Sequence, residues 1–343
     1  MESRKKETDV RHDVAVVIAL PERERQRLFD DSAWQRLTGL ADVRVLPSDG
    51  DLSTAEARRF LEDAEVVIVG WGSRVADSHW IDAAPRLRAL LYTAGSARPF
   101  VSRRLFERGI QVSTQAELNG IPVAEYTLAM ILLAQKSVFS AQHRFRSSRA
   151  AFPITELNGG NYGARVGVWG ASRIGRRVLR MLMPFDLTTV VSDPFISPDD
   201  CASLSAEEAT LDELFATCRV VSLHAPLLDA TRGAIGERLL SLLPDGATLI
   251  NTARGGLVDH AALTAEVVSG RINAVLDVTD PDVMPTSSPL WDLPNVQLTP
   301  HVAGSAGVEV RRLGNGTIDE LERLLAGEGL KFAIDPATFS VTA

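Results

Sequence analysis

The chain has 343 residues, of which 45% are apolar and 23% charged, a balance that predicts an ordinary globular protein of about two domains. A formal charge of -8 and the lack of any long Lys/Arg run argue against a nucleic-acid partner. Two cysteines, Cys201 and Cys218, cannot build a disulfide framework or a metal site, and the charged N-terminus has no apolar stretch behind it; the expectation is a cytoplasmic protein with no metal, signal peptide or membrane span.

From residue 13 onward, short β-rich runs alternate with helical patterns, which is the signature of parallel βαβ units. The first set predicts strands at 14–20, 43–46, 66–69, 89–92 and 111–113, with helices at 76–84 and 100–108. A helical pattern at 123–142 follows, apolar at Leu128, Ile131, Leu132 and Val138 and opened by Pro122. It reads as a connector between domains. The stretch 145–163, rich in Arg, Ser, Gly and Asn, reads as a loop or arm.

A second set predicts strands at 166–169, 188–192, 220–223, 248–251, 274–277 and 296–298, the six of a Rossmann sheet. A helix at 308–325 then carries the chain back toward the first domain. The expected fold is α/β with two doubly wound parallel-sheet domains. Residues 13–121 form the first part of one domain, 122–305 the second domain with the connecting helix, and 306–343 the return.

Three stretches carry chemistry. Gly167-Val168-Trp169-Gly170-Ala171-Ser172-Arg173-Ile174-Gly175 lies between an apolar strand and a helix with apolar residues at Ile174, Val178, Leu179 and Leu182. Such a turn presents helix N-terminal N–H groups to a dinucleotide pyrophosphate. Asp193, eighteen residues past Gly175, is placed to accept bonds from ribose hydroxyls; the plainer alternative is a turn Asp before Pro194. Pro194 and Phe195 follow it, with no arginine to attract a 2′-phosphate, which favours NAD over NADP. Ser172 stands where the middle glycine is usual. Its hydroxyl bonds a phosphate oxygen, or its bulk shifts the cofactor; both remain open.

Asn251-Thr252-Ala253-Arg254-Gly255-Gly256 follows the apolar run 247–250, so Arg254 stands at the carboxyl end of a strand, where open α/β sheets bind ligands. Its planar fork suits a carboxylate and an adjacent carbonyl, and the paired glycines predict a crowded site rather than open surface. Thr299-Pro300-His301-Val302-Ala303-Gly304 puts His301 after another strand, where an imidazole can donate a proton near neutral pH. A carboxylate partner would favour the imidazolium, and Asp277, Asp280 and Asp282 are available.

These stretches together resemble the D-isomer-specific 2-hydroxyacid dehydrogenase family, from roughly residue 66 to residue 325. The resemblance implies a flavodoxin-like substrate domain interrupted by a Rossmann NAD-binding domain, with catalysis between them and a homodimer built on the cofactor domain. It implies that Arg254 binds and polarises a 2-keto acid and that His301 shuttles the proton. Asp282 takes the acid position, which is normally glutamate, one methylene longer. Thr93-Ala94-Gly95-Ser96-Ala97 resembles the loop whose N–H groups receive the substrate carboxylate, so Ala94, Gly95 and Ser96 are substrate-binding candidates. Trp71 and Arg74 sit where pocket side chains arise, with packing and surface charge as the equal alternative. Cofactor contacts are implied for Gly170, Ser172, Arg173, Ile174, Asp193, His224, Ala225, Pro226, Thr252, Ala253, Arg254, Asp277, His301, Ala303 and Gly304.

The expected activity is NAD(H)-dependent reduction of a 2-keto acid to a (2R)-hydroxy acid, or the reverse. An NAD(H)-sensing corepressor-like scaffold is the rival, kept open by Ser172 and Asp282. Formate dehydrogenase carries glutamine at the acid position, which Asp282 does not match. Arg74, Arg98 and Arg144 leave room for a second anionic group on the substrate.

Overall fold

A computed structural model describes residues 14–47, 51–73, 78–98, 100–157, 159–337 and 339. In chain order the elements are β1 (Ala15–Ile18), α1 (Glu22–Leu28), α2 (Asp31–Leu40), β2 (Asp42–Val45), α3 (Ala55–Leu61), β3 (Val66–Val69), β4 (Ala89–Tyr92), α4 (Arg103–Glu107), β5 (Gln111–Thr114), α5 (Ala116–Gln135) and α6 (Val138–Ser148). There follow β6 (Ala164–Trp169), α7 (Arg173–Leu182), β7 (Leu187–Ser192), α8 (Pro198–Ser203), β8 (Ala206–Glu208), α9 (Leu211–Thr217), β9 (Val220–Leu223), α10 (Glu237–Leu242), β10 (Thr248–Asn251), α11 (His260–Val268), β11 (Asn273–Leu276), β12 (Val296–Leu298) and α12 (Val310–Leu325).

The chain divides into two compact units, 1–119 with 305–343 and 120–304. The domain limits expected from sequence were 121/122 and 305/306. In the first unit five parallel strands take the order β2-β1-β3-β4-β5, the flavodoxin-like winding. β1, β3 and β4 are buried along their whole length, which is why they read as unbroken apolar runs. Alternate residues feed two cores: Val17, Val67 and Leu90 on one face, Val16, Ile18, Ile68 and Leu91 on the other. Leu313, Ile318 and Leu321 of α12 join the second core, so apolar burial returns the C-terminal segment to this sheet.

In the second unit seven parallel strands take the order β12-β11-β10-β9-β6-β7-β8, a Rossmann sheet with its reversal between β6 and β9. Sequence reading expected six. The additional strand, β8, is the edge segment Ala206–Glu208, too short and polar to leave an apolar signature. The cores again alternate, with Val221, Leu249 and Leu276 on one face and Val166, Val168, Val191, Ile250 and Val275 on the other.

The single helix expected at 123–142 is two. α5 starts earlier and stops at Gln135, Ser137 takes the left-handed conformation at φ 54, and α6 runs on to Ser148 through part of the expected arm. The break is tertiary in origin: the buried Gln135 amide donates to the Arg165 carbonyl, and the Ser137 hydroxyl accepts from Arg219. The described part of the helix expected at 76–84 is one 3-10 turn, Ser78–Ile81. Among the described residues no helix is long and apolar enough to cross a membrane.

Candidate active site

Because every strand of the second sheet is parallel, its carboxyl ends share one edge, and the loops after β6, β7, β9, β10, β11 and β12 all open there. The nucleotide turn comes first. Gly170 has φ 98, and a Cβ on it would stand 2.5 Å from the Ala225 amide nitrogen, so the turn presses directly on the loop after β9. Ser172 is the N-cap of α7, its hydroxyl accepting the Gly175 N–H at 3.3 Å. Its hydroxyl proton is left for another acceptor. The Ile174 N–H makes no hydrogen bond among the described residues, and it belongs to the first turn of a helix whose dipole favours an anion. Arg176 braces the turn, donating from Nε to the Ala171 carbonyl at 2.9 Å and from its other nitrogens to both Asp200 oxygens at 2.6 and 3.0 Å. That fork holds the Asp200 carboxyl far below the usual carboxylate range.

Asp193 ends β7. One oxygen accepts the Ala171 N–H at 2.7 Å and the other the Phe195 N–H at 2.8 Å, which fixes the carboxylate at the turn and leaves each oxygen a second lone pair. His224 directly follows β9 and is buried, with Nε2 against the Ser222 hydroxyl at 2.9 Å and no partner for Nδ1 among the described residues. Burial pushes its imidazole down to about 3, so it is neutral. Ala225 is buried beside it, and the Pro226 carbonyl accepts from the Thr231 hydroxyl at 2.6 Å.

After β10, the buried Asn251 shapes the loop that carries Arg254: its amide donates to the Arg254 carbonyl at 2.9 Å and accepts the Ala253 N–H at 3.0 Å. Thr252, also buried, bonds the Thr127 hydroxyl of α5 at 2.9 Å. The Arg254 guanidinium is exposed at the edge and donates to the Ala253 carbonyl at 2.6 Å. After β12 the exposed His301 takes φ 56, an uncommon conformation for a non-glycine residue. Its N–H donates to the Asp277 carbonyl at 2.9 Å.

Asp277 is 1% exposed and organises that loop. One oxygen accepts the Thr299 hydroxyl at 2.6 Å and the Val302 N–H at 2.8 Å, and the other accepts the Ala303 N–H at 3.0 Å. Thr299 is bonded in turn to the Tyr126 hydroxyl at 2.9 Å. Adjacent α5 residues, Tyr126 and Thr127, thus tie down the histidine loop and the arginine loop. Burial, the larger influence, raises the Tyr126 phenol above its ordinary value, so its O–H stays protonated.

The acid loop is a tight turn. The Thr279 hydroxyl donates to the carbonyls of Pro281 and Asp282 at 2.7 and 3.0 Å, and the exposed Asp280 carboxylate lies 3.5 Å from Arg232. Asp282 is exposed, and among the described residues neither its carboxylate nor the His301 ring has a hydrogen-bond partner. Gly304, which closes the histidine loop, is half-buried.

In the first unit, the loop after β4 carries Ala94, Gly95 and Ser96. The Thr114 hydroxyl donates to the Ala94 carbonyl at 3.1 Å and to the Gly95 carbonyl, while the Gln115 N–H donates to the Ala94 carbonyl at 3.0 Å. With the carbonyls drawn inward, the Gly95 and Ser96 N–H groups have no acceptor among the described residues. Trp71 is half-buried after β3, and Arg74 lies outside the described residues.

The profile of the D-isomer specific 2-hydroxyacid dehydrogenase NAD binding domain matches residues 128–303, just over half of the chain. The chain belongs to that family. Its NAD-binding domain is therefore the second unit, and NAD is its cofactor. The residues fit the group: a glycine turn against β9, helix N–H donors, and Asp193 held at the end of β7. The D-3-phosphoglycerate dehydrogenase of Mycobacterium tuberculosis is 32% identical over 279 residues, 80% of this chain and 51% of that protein. This family member spans about half the length of such relatives. A crystal structure of a Thermus thermophilus protein is 28% identical with a TM-score of 0.71, covering 93% of this chain and 99% of that one. The D-lactate dehydrogenase of Aquifex aeolicus, complexed with NAD and lactic acid, shares the fold at 24% identity and a TM-score of 0.69, covering 91% of this chain and 96% of that one.

Several residues that shape these strand-end loops left no mark in the sequence. Tyr126, Thr127, Asn251 and Thr279 act through hydroxyls or amides placed by packing. His260, which bonds the acid loop, follows an N-cap Asp259 and reads as an ordinary first-turn residue.

Proposed function

We propose that this chain interconverts a 2-keto acid and a (2R)-hydroxy acid with NAD(H). The observation that carries the reading is the placement of Arg254 and His301. Both follow strands of one parallel sheet, β10 and β12, with only β11 between them, so the strands that deliver them lie about 10 Å apart and end on the same nucleotide edge. When bound, NADH supplies the hydride. Arg254 holds the substrate carboxylate with a planar fork and stabilises the negative charge that develops on the reacting oxygen. His301, as imidazolium, gives that oxygen a ring proton, and in the oxidative direction takes it back. Asp282 is assigned to favouring the imidazolium. Ala94, Gly95, Ser96 and Trp71 are assigned to substrate binding, as is Arg74.

The cofactor contacts we assign are the turn residues Gly170, Ser172, Arg173 and Ile174, the ribose acceptor Asp193, and His224, Ala225, Pro226, Thr252 and Ala253. Asp277, Ala303 and Gly304 complete them around His301. We also propose a homodimer. α6 buries none of its residues in this chain, and Phe145, Ile154 and Tyr162 are exposed nearby, apolar surface that suits a second copy. A cytoplasmic location suits the two buried free thiols.

The test is loss of NADH absorbance, with NADPH beside it, against glyoxylate, pyruvate, and branched, aromatic and phosphorylated 2-keto acids. Arg254→Ala and His301→Ala should each remove most turnover on the acid that reacts, with circular dichroism unchanged. Near-normal rates in either variant would overturn the assignment. NADH binding with no turnover across the panel would favour an NAD(H)-sensing scaffold.

A further inference from the structure

We infer that His260 is a positioning residue that sets the acid loop, and that it does so only as a neutral imidazole. The inference rests on the dehydrogenase reading for its catalytic meaning, but its geometry lies wholly within the second unit.

His260 is the first residue of α11, directly after the segment that carries Arg254. Its Nδ1 lies 3.2 Å from the Val258 carbonyl, which can only accept, so Nδ1 carries the proton. Its Nε2 lies 3.1 Å from the Asp280 N–H, which can only donate, so Nε2 must offer a lone pair. The two contacts together specify one neutral tautomer. A protonated ring would set an N–H against the Asp280 N–H and lose that bond.

Asp280 is two residues before Asp282, and the Thr279 hydroxyl binds the carbonyls on the far side of the same turn. Gly255 packs against the Thr279 end of the turn, but the Asp280 carboxylate meets Arg232 only at 3.5 Å on the surface, so the His260 bond is the hydrogen bond that holds the Asp280 backbone among the described residues. His260 therefore links the Arg254 segment to the loop that presents Asp282. The charged groups beside it are Asp259, the cap of its own helix, and Asp280 with its partner Arg232; of the elements packed against α11, α10 carries Glu237 and Arg238, the latter paired with Asp212, and the turn Pro289–Trp291 is followed by Asp292. A buried acid that would hold the ring protonated is absent among these exposed neighbours.

A second ring proton on His260 would remove the Asp280 bond and loosen the turn that presents Asp282, so the reductive rate should fall wherever the ring carries both protons.

Hydrogen exchange of the peptide covering 277–290 tests the loop without turnover. At about pH 8, where histidine is neutral, the unmodified protein and His260→Gln should exchange alike and His260→Ala faster. At about pH 5 the unmodified protein should exchange like His260→Ala at that pH, while His260→Gln, whose amide oxygen accepts at any pH, keeps its protection. In parallel, kcat/KM is followed against pH with NADH and whichever acid of the panel reacts. His260→Ala should lose about tenfold near neutral pH, the size of one lost hydrogen bond. His260→Gln should recover most of that loss and retain activity further into acid. Equal exchange in all three proteins at both pH values would overturn the inference, as would an acid limb that survives in His260→Gln. If no acid of the panel turns over, the dehydrogenase reading fails while the exchange result still decides the role of His260.

Discussion

Gly255 rests against the carbonyl of Thr279. A Cβ on Gly255 would stand 2.1 Å from both the carbon and the oxygen of that carbonyl, and 2.6 Å from the Asp280 nitrogen. The segment carrying Arg254 and the loop carrying Asp282 therefore meet backbone to backbone, a closeness that only glycine allows. Gly255→Ala should push the two apart, at a cost of about 1–3 kcal/mol in thermal or urea unfolding. Its kcat/KM should fall at least about tenfold. Unchanged turnover in a folded variant would show that the contact does not position the site.

Asp277→Asn replaces an acceptor with a donor in a buried carboxylate that receives three hydrogen bonds. One of those donors then faces an NH2 group, at a cost of about 2 kcal/mol. The loop it holds carries His301, so kcat should fall more than NADH affinity, measured by fluorescence titration. A loss confined to NADH affinity would make Asp277 a cofactor contact alone.

Ser172→Ala removes the N-cap of α7 and should cost about 1 kcal/mol, whereas Ser172→Gly should cost only a few tenths. If the side chain obstructs the pyrophosphate, Ser172→Gly will bind NADH more tightly than the unmodified protein. If its free proton bonds a phosphate oxygen, both variants will bind more weakly. Thermal melting and NADH titration together separate the cap from the contact.

His224 predicts a pH dependence of stability. Its pKa falls from an ordinary 6.5 to about 3 because burial penalises the charged ring. Between those values the unfolded chain binds a proton that the folded chain refuses, so stability drops as pH falls through that window and is fully present above it. The slope should approach about 1.4 kcal/mol per pH unit from this one group. His224→Gln, followed by urea unfolding across the same range, should flatten the slope by one proton. An identical slope in the variant would mean that the ring is already charged in the fold.

Much of the architecture was readable in the chain because buried parallel strands must be apolar on both faces. The runs 66–69, 89–92, 220–223 and 248–251 coincide with the buried β3, β4, β9 and β10 for that reason, whereas edge strand β12 at 296–298 shows through the alternation of Val296 and Leu298 about Gln297. Arg254 and His301 were readable as strand-end residues by the same logic, since each follows such a run. β8 was not, because an edge strand of Ala-Glu-Glu has no apolar face to declare it.

What the sequence determined by itself was local: the strand cores, the glycine turn, and the order in which Arg254, Asp277 and His301 arrive along the chain. What the tertiary structure decided was partnership between distant residues. The stop of α5 at Gln135 depends on the Arg165 carbonyl, and the tautomer of His260 depends on Asp280. The hold of Asp277 on the histidine loop depends on β11 and β12 lying in one register. A hydrogen bond between elements has no local signature, because its geometry is fixed by how sheets and helices pack and not by the propensities of either residue.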